Sequence, residues 1–107
     1  SVRSLASLII EKNGLYGLPL NTTEISETFP ERVLIASLDA DGCVLACALQ
    51  LFDSGIEPVI LAPFTFSSGG DDHRQGGLAC LARSIGEERV IDDAGECIRF
   101  LSQLGFI

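Results

Sequence analysis

Basic residues are scarce in this chain. Seven of 107 residues are Lys or Arg, against fifteen Asp or Glu, for a formal net charge of −8. Lys12 is the one lysine, and the arginines are scattered rather than clustered. Holding a polyanion takes clustered cations that displace the counterions of the phosphates, so sequence-general nucleic-acid binding is excluded. Histidine is represented by His73 alone, and Cys43, Cys47, Cys80 and Cys97 include no Cys-x-x-Cys pair. An ordinary structural zinc site is thereby excluded. Long apolar runs are missing as well. Val33 to Ala36 and Val59 to Ala62 are strand-sized, far short of the roughly 20 residues a membrane-spanning helix needs. The opening residues have neither the basic flank nor the apolar stretch of a signal peptide. The expectation is a non-membrane, cytoplasmic protein whose cysteines are free thiols packed in a core.

What is present is the material of a small globular fold. Hydrophobic residues make up 47% of the chain, enough for one modest core and one domain over 1–107. Val2, Leu5, Leu8 and Ile9 share a helical stripe that Asn13-Gly14 would end. Asn21 with Glu24 three residues on reads as a helix N-cap pair, and Pro30 closes that short helix. Residues 1–30 are read as a largely helical extension packed on a core of 31–107. In that core, aliphatic runs near 32–38, 57–64 and 88–91 predict strands, and amphipathic stretches near 43–54, 77–86 and 93–104 predict helices. Residues 65–77, rich in Gly, Ser and Asp, read as a loop. Strand–helix alternation at this spacing gives βαβ units. The fold class is therefore α/β, a small Rossmann-like parallel sheet of at least three strands with flanking helices.

In a parallel α/β sheet the loops that follow the strands emerge at one edge, where ligands usually bind. That rule gathers Asp39 and Asp41 after the first strand, Asp71, Asp72 and His73 after the second, and Asp92 and Asp93 after the third. Clustered carboxylates repel one another unless a cation neutralises them. Asp39, Asp41, Asp71, Asp72 and His73 are thus candidate ligands for Mn²⁺ or Mg²⁺, which take oxygen donors. Asp93 with Glu96 three residues on also reads as a helix N-cap. A competing reading of the same loops is an anion site. Ser67-Ser68-Gly69-Gly70, then Gly76 and Gly77, lead into a helix N-terminus with Arg74 nearby, a setting suited to phosphate.

The stretch from Val33 to Pro63 resembles the first motif of the DHH phosphoesterase superfamily, which includes RecJ-type nucleases, cyclic-dinucleotide phosphodiesterases and inorganic pyrophosphatases. Ser37-Leu38-Asp39-Ala40-Asp41-Gly42 follows a hydrophobic strand and precedes the small-residue helix Cys43-Val44-Leu45-Ala46-Cys47-Ala48-Leu49. Ser37 stands where that family carries a His. The resemblance implies metal-ligand roles for Asp39 and Asp41, and a phosphate-containing small molecule as partner. Toprim domains are a second, weaker likeness, with Asp39 and Asp41 after a buried strand and Glu11 in the place of their glutamate. Against both stands a different class, a non-catalytic Rossmann-like module that binds a ligand or a protein partner.

Overall fold

Three strands, β1 (Arg32–Ile35), β2 (Glu57–Leu61) and β3 (Val90–Ile91), lie side by side in that order in one parallel sheet. The computed structural model describes residues 16–103 and Gly105. The helical stripe expected at 2–12, with Glu11, lies outside the described residues, as does residue 104 of the helix expected near 93–104. The register pairs Leu34 with Val59 and Ile35 with Ile60, then Ile60 with Val90 and Leu61 with Ile91. The α/β class and the parallel sheet expected from the sequence are what forms.

The four described α-helices are α1 (Thr22–Thr28), α2 (Cys43–Asp53), α3 (Asp71–Ile85) and α4 (Ala94–Gln103). Side chains on a strand alternate between the two faces of a sheet, and β2 uses both. Ile60 packs among Val44, Ala48, Leu78, Leu81 and Ile85, under α2 and α3. Val59 and Leu61 point the other way, onto Cys97, Phe100 and Leu101 of α4. Ile25 of α1 joins Leu51 and Ile56 at one end of the core. The capping box of α1 forms as its sequence predicts: Asn21 accepts from the Glu24 amide at 2.8 Å, and Glu24 accepts from the Asn21 amide at 3.0 Å.

Element ends depart from the sequence pattern at several places. Strand β1 stops at Ile35, and the chain then continues beside the β2 end through a single parallel bridge between Leu38 and Phe66. After Leu61, Ala62–Phe64 tightens into a 3₁₀ turn with Pro63 inside it. Before β3, Glu87–Arg89 is another 3₁₀ turn, which leaves two residues for the strand.

The larger correction concerns α3, which starts at Asp71 and not near residue 77. Residues read as loop are therefore helix, including Gly76 and Gly77. Two effects outweigh the poor helix propensity of glycine. Asp71 and Asp72 place negative charge in the first turn, where the helix dipole favours it. Gly77 also lets the helix backbone approach the β1–α2 loop more closely than any side chain allows, for a Cβ there would lie 2.5 Å from the Ala40 carbonyl carbon. The cysteines divide too: Cys97 is fully buried and Cys43 and Cys47 are half-buried, but Cys80 is exposed on α3. A helix has two flanks, and residue 80 falls on the outer one, beside buried Leu81.

Candidate functional site at the carboxyl edge of the sheet

The loop after β1 is organised around Ala40, which has no exposed surface. Its amide donates to the Phe66 carbonyl at 2.8 Å, and the Phe66 amide donates to the Ser37 carbonyl at 3.0 Å. These bonds hold the loops after β1 and β2 together. The Asp39 carbonyl then accepts from the Gly42 and Val44 amides, both at 3.0 Å, which starts α2. With Ala40 anchored inward, Asp39 and Asp41 flank it toward the rim. Asp39 is half-buried and Asp41 exposed.

Each carboxylate finds its partners on the neighbouring loop. Asp39 Oδ1 accepts from the Ser68 amide at 2.7 Å, and Oδ2 accepts from the Ser68 hydroxyl at 2.9 Å. Asp41 Oδ1 accepts from the Ser67 hydroxyl at 2.7 Å, while Oδ2 lies 3.3 Å from His73 Nδ1. The Ser67 hydroxyl oxygen in turn accepts from the Gly69 amide at 3.1 Å. The Ser67 hydrogen bond, ahead of a lesser opposing effect of desolvation, holds the Asp41 carboxyl below the usual carboxylate range; its own backbone and His73 add to the lowering.

Of the expected metal residues, Asp41 and His73 therefore touch at this edge, and Asp39 lies on the same loop as Asp41. Asp71 and Asp72 lie exposed in the first turn of α3, Asp71 with Arg74 at 3.8 Å. Among the described residues, no three His, Cys, Asp or Glu side chains gather into a set able to hold a metal ion. The carboxylates are engaged by hydroxyl and amide donors.

The anion reading loses its parts to structure. Arg74 donates from Nε to the Thr65 carbonyl and from Nη2 to the Ala62 carbonyl, each at 2.7 Å, which spends the guanidinium on fastening the loop. Gly76 and Gly77 lie inside α3, away from its first amides. Gly70 stands at the N-cap with φ 100°, and Gly69 packs beside the His73 ring. After β3, Asp93 accepts from the Glu96 amide at 2.9 Å and caps α4, as the sequence indicates.

Ser67 and Ser68, which the anion reading places in a phosphate-cradling loop, instead donate to the two carboxylates of the facing loop. Cys43, read as a core thiol, is the first residue of α2 and so stands at the same edge, half-buried, directly after Asp41-Gly42. Together these features define a small Rossmann-like α/β domain with a hydrogen-bonded polar edge. Comparison with protein-family models, with curated proteins and with solved structures finds no match to this chain.

Proposed function

We propose that this chain is a non-catalytic Rossmann-like module that binds a polar ligand or a protein partner at the carboxyl edge of its sheet. The observation behind this reading is the pairing of Asp39 with Ser68 and of Asp41 with Ser67. Those bonds fasten two loops into one prearranged rim of acceptors and hydroxyls. A rim already fixed gives up little conformational freedom on binding, which is how such edges gain affinity. The net charge of −8 and the exposed carboxylates favour ligands rich in hydrogen-bond donors over anions.

A second reading is a divalent-metal domain resembling the DHH phosphoesterases. It draws on Asp39-Ala40-Asp41-Gly42 after a parallel strand and on the closeness of His73 to Asp41. Binding Mn²⁺ or Mg²⁺ there draws on the carboxylate lone pairs that the serine donors leave open, with those donors holding the carboxylates in place.

Thermal melts separate the two. In the first reading, millimolar Mn²⁺ or Mg²⁺ leaves the melting temperature unchanged, because a ligand stabilises only through binding the native state. Asp39→Asn lowers stability by about 1 kcal/mol, since it replaces two charge-assisted hydrogen bonds from Ser68 with neutral ones. Asp41→Asn lowers it too. A Mn²⁺-induced rise in wild type that disappears in both variants overturns the first reading and establishes the metal site.

A further inference from the structure

A second surface lies at the other side of the sheet. Strand β3 is the last of the described strands, and none lies beyond it. Along it runs an open groove of about 620 Å³ between the strand and α3. Its floor is apolar, built from Leu78, Ala79 and Ala82 of the helix with Val90 and Ile91 of the strand. Its two ends are acidic: Glu87 and Glu88 before the strand, Asp92 and Glu96 after it. Arg89 lies 2.8 Å from Glu88 and offsets that charge. Glu87, Asp92 and Glu96 are exposed, and none makes an ion pair among the described residues.

We propose that this groove takes an extended basic peptide segment, laid between β3 and α3. Two features select that occupant. The apolar floor accepts the small aliphatic side chains that an extended segment places at alternate positions. The unpaired carboxylates at both ends complement Lys or Arg flanking those apolar residues, and repel an acidic segment. This surface is separate from the Asp39–Asp41 edge, and either site can exist without the other.

The test uses an end-capped hexapeptide alternating Lys and Val, titrated into isotopically labelled protein, with a Glu–Val hexapeptide as control. The expected result is a saturable set of amide shifts confined to Val90, Ile91 and the Leu78–Ala82 turn, weakened by added salt. The triple variant Glu87→Gln/Asp92→Asn/Glu96→Gln weakens binding at least tenfold, as does Ala79→Arg, which fills the floor. Both variants change exposed residues, and a wild-type-like melt confirms that each is folded. No shifts with millimolar Lys–Val peptide, shifts spread over the whole acidic surface, or equal binding of the Glu–Val peptide overturns the proposal.

Discussion

Two adjacent glycines in one helix are expected to respond to the same substitution with opposite signs. Gly76 and Gly77 both lie inside α3. A Cβ at Gly76 meets nothing within 4 Å, whereas one at Gly77 falls 2.5 Å from the Ala40 carbonyl carbon and 2.6 Å from both the Ala40 oxygen and the Asp41 nitrogen. All three of those atoms are backbone, and Ala40 is fully buried, so nothing flexible is available to move aside. Ordinary carbon contacts are about 3.5–4.0 Å, so the helix and the loop must part by roughly 1 Å. Overpacking of this kind costs about 1–3 kcal/mol. Alanine returns up to about 1 kcal/mol of helix propensity at either position. Gly76→Ala should therefore stabilise by about 0.5–1 kcal/mol, and Gly77→Ala should destabilise by up to about 2 kcal/mol once the propensity gain is subtracted. Urea unfolding followed by circular dichroism measures both. The loop pushed by a Gly77 side chain carries Asp39 and Asp41, so the amide signals of Ser67 and Ser68 should shift in Gly77→Ala and stay put in Gly76→Ala. Equal stabilisation by the two substitutions would refute the close approach of α3 to Ala40, and with it the geometry of the rim.

Asp93→Ala removes the cap of α4 and should cost about 0.5–2 kcal/mol in the same assay. The Asp41 carboxyl is held down mainly by Ser67. Its ionised form is thus the one favoured by folding, and its stabilising contribution is present above pH 3.8 and lost as pH falls through the lower folded value. The melting difference between wild type and Asp41→Asn should accordingly hold steady near neutral pH and shrink below about pH 4. In Ser67→Ala, Asp41 should titrate at a higher pH than in wild type, read from its carboxyl carbon signal. Thiol labelling of native protein should reach exposed Cys80 first and Cys97 last, because burial, with Asp93, Glu96 and Asp92 nearby, raises the Cys97 thiol. Labelling of Cys43 ahead of Cys80 would instead mark a reactive thiol beside the Asp39–Asp41 loop and displace the non-catalytic reading.

The sequence revealed those parts of the molecule that short-range rules govern. Alternating aliphatic runs and amphipathic stretches were enough for a parallel sheet, because period-two and helical periodicities survive in local sequence. Asn21 with Glu24, and Asp93 with Glu96, announced two helix starts because a cap is a contact across three residues. The start of α3 was hidden for the converse reason. Gly76-Gly77 reads as a breaker in isolation, and only the Ala40 backbone, some 37 positions earlier, explains why a glycine belongs there. The same holds for the acidic edge. Topology alone places Asp39 and Asp41 on one rim with His73, but whether the carboxylates stand open or engaged depends on the loop after the next strand. Ser67 and Ser68, 26 and 29 residues from their partners, decide it. An Asp-x-Asp-Gly after a parallel strand is therefore ambiguous by itself: the same carboxylates serve a cation or tie two loops together, and the facing loop's donors show which contacts they make. Here the facing loop is Ser67-Ser68-Gly69-Gly70, a run of donors. Exchanging Ser67 and Ser68 for alanine removes two of those donors, and it is in that double variant, not in wild type, that Mn²⁺ affinity at Asp39 and Asp41 should emerge.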